Sequence, residues 1–366
     1  MHYMKTLFSS LVLALAVCAN AQAQAPVNND TTRQHRPRPR FFMDPSDPNA
    51  HDPVMAKGED GRYYCFMTGM NVGVMSSADM KEWQMEKPAL PETPQWAKDT
   101  VPGYNGHTWA PDISYHNGYW HLYYSCSTFG KNGSAIGLAV NKTLDPTSPD
   151  FAWVDKGMVI ASHRRRDNWN AIDPNLIVDS EGYPYLSFGS FWDGIQLVKL
   201  STEDYQTPVS TPVTIARRMD RRLTLSETNN EKNFTREGGN VIEAGRNAIE
   251  APFIFYHEGF YYLFVSFDYC CRGENSTYKT VYGRAEKITG PYVDAKGQPM
   301  EYGGGTLLYG PTDDYFGIGH NAAYEFDGQC YFVSHAYVKA KGGAAKLFVR
   351  PLEFDANGWI VVPKHY

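Results

Sequence analysis

Three carboxylates, each close to a proline at the start of an apolar run, are the residues best suited to do chemistry: Asp52, Asp173 and Glu250. Glu250 is flanked by apolar residues, so its carboxyl group would be partly desolvated and its pKa raised. A carboxyl group that keeps its proton near neutral pH can act as a general acid. Taken alone, Glu250 is more readily interpreted as a solvated glutamate at a strand edge.

The elements that would position these acids recur along the chain. Each copy has a polar residue near a proline or asparagine, an apolar strand, a glycine turn and an aromatic strand, with the turn glycines at 61, 118, 182, 259 and 328. Each step of 57 to 77 residues has room for a four-stranded sheet. Because aromatic and β-branched residues favour strands, five such units indicate an all-β, five-bladed β-propeller over residues 41–366.

The repeats also predict where the acids lie relative to one another. The innermost strand of each propeller blade lines the central channel, and equivalent positions of successive blades converge at one end of it. The first, third and fourth copies therefore bring Asp52, Asp173 and Glu250 into one pocket. Asp112 in the second copy is shifted relative to its turn glycine and is expected to accept backbone hydrogen bonds, while His320 and Asn321 replace the acid in the fifth copy.

A cluster of three acids among aromatic residues suits glycoside hydrolysis. In that reaction one carboxylic acid protonates the leaving oxygen, and a carboxylate either activates water or attacks the sugar. Competing charges in one pocket push the pKa values apart and so assign the roles. Metal binding by the three acids and a histidine is the alternative, which we favour less because each acid is followed by an apolar strand.

The first 25 residues predict an export signal. Lys5 precedes an apolar core from Leu7 to Ala19, which is followed by two overlapping Ala-Gln-Ala cleavage sites. Cys18 raises the alternative of a lipid anchor, but the bulky Val17 before it favours simple cleavage. Residues 26–40 are polar and proline-rich and are predicted to be a flexible linker. The mature protein is expected in the periplasm, outside the cell or on its surface.

Charge and composition narrow the choice of partner. The formal net charge of −6 becomes about −7 without the signal, so the protein is a poor nucleic-acid binder and suits neutral polymers. Aromatic residues make up 14% of the chain and can stack on sugars. No later stretch approaches the ~20 apolar residues of a membrane-spanning helix. The arginine clusters at 164–166 and 217–222 are interpreted as solvated loops, and a monomer is expected.

The cysteines argue against a disulfide framework. Five remain after signal removal, an odd number, and most lie inside apolar strand patterns, which predicts buried thiols: Cys65, Cys126, Cys270, Cys271 and Cys330. The adjacent Cys270 and Cys271 leave two alternatives open, a vicinal disulfide or two free thiols.

The residues around the acids resemble glycoside hydrolase family 43, and within it the α-L-arabinanases. The broader resemblance rests on the heads His51-Asp52-Pro53, Trp109-Ala110-Pro111-Asp112, Ala171-Ile172-Asp173-Pro174-Asn175-Leu176 and Ile249-Glu250-Ala251-Pro252-Phe253. The narrower one rests on Tyr124–Gly130, Ser134–Ala139, Phe188–Gly194, Val265–Cys271 and Ile288–Val293. Together they cover residues 45–366, and their combination in this order is far more specific than any single motif.

This resemblance implies an inverting, single-displacement mechanism on internal α-1,5 linkages of arabinan and arabino-oligosaccharides. Residue by residue, it implies that Asp52 is the general base on water and Glu250 the general acid. Asp173 would orient Glu250 and keep its pKa high.

The resemblance also implies residues that bind substrate and metal. Trp109 would stack on an arabinose ring, and Asn175 and Ser190 would hydrogen-bond the sugar. His320 resembles a histidine that contacts a water-rich metal ion in arabinanases, commonly calcium, although histidine is an unusual ligand for so hard a cation.

Several alternatives stay open. An exo-acting α-L-arabinofuranosidase or β-xylosidase would use the same scaffold, and the charged segment 213–247, a long loop with some strand, leaves endo and exo action undecided. The retaining propeller fructosidases also carry Asp-Pro heads and a catalytic glutamate. A non-catalytic sugar-binding propeller would use the aromatic residues without needing three acids.

Overall fold

The computed structural model describes residues 43–218 and 247–362. Their strands, in chain order, are β1 Val54–Lys57, β2 Tyr63–Met67, β3 Gly69–Met70, β4 Gly73–Ser77, β5 Trp83–Met85, β6 His107–His116, β7 Tyr119–Cys126, β8 Ser134–Asn141, β9 Val154–Ser162, β10 Asn175–Val178, β11 Pro184–Phe188, β12 Ile195–Lys199, β13 Val213–Ala216, β14 Ile249–His257, β15 Phe260–Phe267, β16 Lys279–Ala285, β17 Thr306–Tyr309, β18 Tyr315–Phe326, β19 Gln329–Val338 and β20 Ala344–Pro351. The helical segments of the same part of the chain are α1, Gln95–Thr100, and 3-10 turns at Gly273–Asn275, Met300–Tyr302 and Lys339–Lys341.

These strands form five antiparallel sheets, one for each predicted repeat. In spatial order the sheets are β1-β2-β4-β5 (blade 1), β3-β6-β7-β8-β9 (blade 2), β10-β11-β12-β13 (blade 3), β14-β15-β16-β17 (blade 4) and β18-β19-β20 (blade 5). The prediction of an all-β, five-bladed propeller is confirmed.

The hairpin between β14 and β15 shows why these sequences form blades. Phe253 and Ile254 are buried, and so is the run Tyr261–Val265 on the facing strand, because the sheet packs on both sides. Glu258 and Gly259 both adopt left-handed φ values, 44° and 89°. Two such residues form the tight turn whose twist matches that of paired strands. The glycine turn predicted from the repeat is therefore present.

The ring is closed by the first described residues. Asn49 forms a β-bridge with Lys346 of β20, and the amide of Leu347 donates to the carbonyl of Pro48 at 3.1 Å. Lys346 also reaches the Asp47 carboxylate at 3.0 Å. We call the segment 47–50 the seam. It acts as an outer strand of blade 5, and β18, β19 and β20 from the fifth repeat supply the other three strands.

One backbone feature recurs at the head of every blade. Asp52, Ala110, Asp173, Ala251 and His320 have φ values of 53°, 36°, 57°, 53° and 52°. Left-handed backbone is uncommon outside glycine. In β6, β14 and β18 the residue lies at a break in strand register, which is where bulges bend a strand. The repeated distortion re-aims the head side chains toward the channel.

The remaining predictions about the chain have mixed outcomes. The prediction that the arginines at 217–222 lie in a solvated loop is wrong for Arg217. This residue is buried and paired with Asp193 at 3.0 Å and with Glu301 at 3.3 Å. Residues 213–216 form a strand, whereas the signal, the linker and residues 219–246 lie outside the described part of the chain. No helix in the described residues has the length and apolar character needed to cross a membrane.

Candidate active site

A cavity of about 700 Å³ opens at the end of the channel where the blade heads converge. The three predicted acids line it together with three other predicted site residues: Asp52, Asp173, Glu250, Trp109, Ser190 and His320. The convergence expected from the repeat is therefore observed, although these residues lie up to 268 positions apart in sequence. Further lining comes from Phe129, Phe191, Trp192 and Tyr269.

The Asp52 carboxylate lies among donors on both of its oxygens. His51 Nδ1 and His320 Nδ1 approach Oδ1 at 2.9 and 3.0 Å, and the Thr68 hydroxyl donates to Oδ2 at 2.5 Å. Burial alone would raise the pKa of Asp52, but the neighbouring His320 and, after it, His51 outweigh burial and hold that pKa well below its usual range. Asp52 is therefore an ionised carboxylate.

Glu250 has the opposite environment. It is buried, and burial raises its pKa above the usual value. The hydroxyls of Tyr278 and Ser190 each donate to one of its carboxylate oxygens at 2.7 Å, which opposes that rise. The negative charge of Asp52 adds to the rise. Glu250 is thus favoured in its protonated form over Asp52 in the same cavity.

Asp173, the third acid of the cavity, also has a raised pKa. Burial is the largest cause that raises its pKa to about 8, the cationic His320 opposes this, and the charges of Glu250 and Asp52 add to the rise. Its Oδ2 accepts a hydrogen bond from the amide of Ala251 at 3.1 Å. Through that amide Asp173 holds the backbone beside Glu250.

His320 acts chiefly as the counter-charge of Asp52. Burial would lower its pKa, but the charge and hydrogen bond of Asp52 raise it to about 9. Calcium prefers six to eight oxygen ligands. The Nδ1 atom of His320 is engaged with Asp52, and a cationic imidazole is protonated on both ring nitrogens, so His320 offers a metal no oxygen and no free lone pair. This donor set does not fit a protein-held calcium ion, and no step below is routed through one.

The predicted sugar-binding residues occupy different environments. Trp109 lies half-buried on the cavity wall, with its indole N–H donating to His107 at 2.9 Å. Ser190 also lines the cavity, but its hydroxyl is used on Glu250. The structure places Asn175 between blades, where its amide donates to Asp112 at 3.3 Å and accepts from the amide of Ile254 at 2.8 Å. Its side-chain bonds are thus to protein groups.

Asp112 accepts a backbone hydrogen bond, as predicted. Its Oδ2 accepts the amide hydrogen of Leu176 at 2.7 Å, which ties blade 2 to blade 3. Burial raises its pKa to about 7. Asp112 does not line the cavity.

Three residues of the site were missed by sequence reasoning. Thr68 and Tyr278 donate to the two catalytic candidates, and His335 Nδ1 accepts the amide hydrogen of Asp52 at 3.1 Å. None stands at a blade head, so the repeat gave no signal for them. Their types are also common in aromatic strands, which hides them among core residues.

Comparison with known proteins identifies the family. The model of glycosyl hydrolases family 43 matches residues 47–360. The chain belongs to glycosyl hydrolase family 43. The family resemblance predicted from the blade heads is confirmed, and the protein is a glycoside hydrolase rather than a non-catalytic sugar-binding propeller.

Relatives within family 43 cover nearly all of the propeller. An extracellular exo-α-(1→5)-L-arabinofuranosidase of Cellvibrio japonicus is 44% identical, with 85% of both chains covered. An extracellular endo-α-(1→5)-L-arabinanase of Bacillus subtilis is 39% identical, over 88% of this chain and 90% of its own. The crystal structure of an exo-1,5-α-L-arabinanase from a bovine ruminal metagenomic library is 56% identical, with a TM-score of 0.80, over 88% of this chain and all of its own.

Proposed function

We propose that the protein hydrolyses internal α-1,5-L-arabinofuranosidic linkages of arabinan with inversion at the anomeric carbon. The observation that carries the proposal is the division of roles among the buried acids, with the pKa of Asp52 lowered and the pKa of Glu250 raised. Inverting and retaining hydrolysis both need one ionised carboxylate and one protonated acid at the same moment. Inversion is the outcome that the resemblance to family 43 implies. The relatives that act on α-1,5-linked arabinose support the choice of polymer.

In the proposed reaction Asp52 removes a proton from water as that water attacks the anomeric carbon. Glu250 gives its proton to the glycosidic oxygen, and the bond between that oxygen and the anomeric carbon breaks. Each product carries one new hydroxyl, Asp52 ends protonated and Glu250 ends ionised. One exchange of protons with solvent restores both groups, while Asp173 holds the backbone beside Glu250 through the amide of Ala251.

Aromatic side chains support a sugar polymer as the ligand. Trp109, Phe191, Trp192 and Tyr269 line the cavity, and Phe129 is 81% exposed at its rim. Sugar rings stack on such faces through their C–H groups while their hydroxyls stay hydrated. The lining continues from the acids to the rim, which suits more than one sugar unit.

The decisive experiment follows linear arabinan by viscosity and by reducing ends together. Internal cleavage lowers viscosity early, when few ends have formed, and yields oligosaccharides. Glu250→Gln is the control, because it keeps the shape of the acid and removes its transferable proton. Retained hydrolysis in this variant would contradict the assigned role of Glu250.

Exo action is the second candidate, because two of the relatives reported above are exo-acting. It predicts steady release of short products from a chain end while the viscosity of long arabinan stays high. The two curves of viscosity against reducing ends therefore separate the candidates in one assay.

The setting of the enzyme is part of the same proposal. We infer export from the signal-like first 25 residues, in keeping with relatives named extracellular. Fractionation of producing cells into periplasm, surface and medium tests the compartment. The monomer expected from the sequence is tested by light scattering of the purified protein.

A further inference from the structure

A disulfide lies in the wall of the catalytic cavity. Cys270 and Cys271 follow β15, are bonded to each other, and line the same cavity as the three acids. Of the two alternatives left open by the sequence, the structure has the vicinal disulfide. The other cysteines of the described residues, Cys65, Cys126 and Cys330, are buried free thiols, as predicted.

The disulfide is connected to the catalytic base by hydrogen bonds. The amide of Cys271 donates to the hydroxyl oxygen of Tyr337 at 2.7 Å. That oxygen lies 3.0 Å from Nε2 of His51, and Nδ1 of His51 lies 2.9 Å from Oδ1 of Asp52. Three consecutive contacts therefore join the turn to the carboxylate, and Sγ of Cys271 also lies 3.8 Å from Nε2 of His51.

The direction of these bonds follows from the chemistry of each group. Tyr337 is buried, and burial raises its pKa, so its hydroxyl keeps its proton. The hydroxyl oxygen accepts from Cys271, and we assign its own hydrogen to the contact with His51 Nε2. A neutral imidazole that accepts at Nε2 carries its proton on Nδ1. That proton then points at the Asp52 carboxylate.

The ring of His51 is held in this orientation from a second side. It stacks on the ring of His335 with centroids 4.1 Å apart and planes 24° apart. His335 in turn accepts the amide hydrogen of Asp52. The remaining freedom of His51 is rotation within the stack, which the Tyr337 hydroxyl opposes.

The disulfide holds the first donor of this chain of bonds. Cys271 has a φ of 63°, in the left-handed region that costs free energy for a non-glycine residue. A bond between adjacent cysteines closes a small ring that restricts the backbone of both. Without it, Cys271 is free to return to ordinary backbone angles and to withdraw its amide from Tyr337.

We propose that the Cys270–Cys271 disulfide is a positioning element for the catalytic base, acting through Tyr337 and His51 on Asp52. The inference rests on the proposed function, because it assigns Asp52 the activation of water. Loss of the disulfide misdirects one hydrogen bond at Asp52. We expect kcat to fall about two- to tenfold, which is the effect of one net hydrogen bond, while KM changes little.

The test measures kcat and KM on linear arabinan before and after reduction of the wild-type protein. Dithiothreitol gives up two electrons and two protons and becomes its cyclic disulfide, and Cys270 and Cys271 become two thiols. Reduction is expected to lower kcat, and reoxidation to restore it. The variant Cys270→Ser with Cys271→Ser should have the kcat of the reduced protein and no response to the reductant.

A second variant shows whether the effect passes through Tyr337. Tyr337→Phe removes the hydroxyl and should lower kcat to the same degree, after which reduction adds nothing. Tyr64→Phe is the matched control, because it also loses one tyrosyl hydrogen bond, to Asp60 at 2.8 Å, outside the cavity lining. Tyr64→Phe should keep the full response to reduction.

Each other outcome has a defined meaning. If the oxidised wild type does not hydrolyse arabinan, the proposed function fails before the disulfide is tested. If it does hydrolyse arabinan and kcat does not change on reduction, the positioning role is overturned. A change in KM alone overturns it in favour of direct sugar contact, and an undiminished response in Tyr337→Phe overturns the route.

Discussion

Tyr278→Phe offers a quantitative test of how Glu250 is controlled. The Tyr278 hydroxyl donates to Glu250 Oε1 at 2.7 Å in a buried site, and this bond stabilises the ionised carboxylate. A hydrogen bond to a charged group contributes about 1.5–3 kcal/mol. Since 1.36 kcal/mol corresponds to one pKa unit, its loss raises the pKa of Glu250 by roughly one to two units.

The sign of the effect on activity follows from the role of Glu250. A general acid must be protonated, so activity is lost as pH rises through its pKa. Tyr278→Phe should therefore move the alkaline limb of the kcat/KM profile on an arabino-oligosaccharide to higher pH. The acidic limb, which reports ionisation of Asp52, should move less.

A matched control separates this effect from loss of stability. Tyr292 is equally buried, and its hydroxyl donates to the carbonyl of Ile288 at 2.7 Å. It does not line the cavity. Tyr292→Phe should lose similar stability and keep the wild-type profile. An alkaline limb that stays in place or moves to lower pH in Tyr278→Phe would refute the reasoning.

Three further predictions concern the base, the packing and the metal. Thr68→Val removes the donor to Asp52 Oδ2 and should raise the pKa of Asp52 by about one unit; the base must be ionised, so the acidic limb of the pH profile moves to higher pH. Gly137→Ala places a Cβ 2.4 Å from the Tyr124 ring and should lower the free energy of unfolding by about 1–3 kcal/mol, measured by urea denaturation, with the pH limbs unmoved. The calcium that the family resemblance implies near His320 disagrees with the donor set found there, and metal analysis after dialysis against chelator and then calcium tests that disagreement. We expect no bound calcium, and one bound equivalent that is lost in His320→Ala would contradict this expectation.

The sequence predicted the propeller and the meeting of the acids for one physical reason. A repeat places equivalent residues at equivalent points, so Asp52, Asp173 and Glu250 could be brought together without knowing any distance. Thr68 and Tyr278 could not be found this way, because they lie beside the ends of β2 and β16 rather than at blade heads.

Asn175 shows a limit of transferring positions by motif. It lies two residues after Asp173, but β10 begins there and its buried amide bonds Asp112 and Ile254 across two blade contacts. Side chains alternate between the two faces of a strand. That alternation holds only within a strand, whereas Asp173 precedes β10 and has a left-handed φ of 57°, so the direction of its side chain does not carry over to Asn175.

The seam lies next to the chemistry of the cavity. Ala50, the last residue of the seam, donates its amide to Ala345 at 3.3 Å, and Asp52 follows two positions later. Opening of the seam would free the chain on one side of the base while the other blades stay folded, a local event that costs less than global unfolding. Amide exchange at Asp52 would then report on ring opening. Thermal inactivation would begin with the loss of an aligned base rather than with the loss of the core.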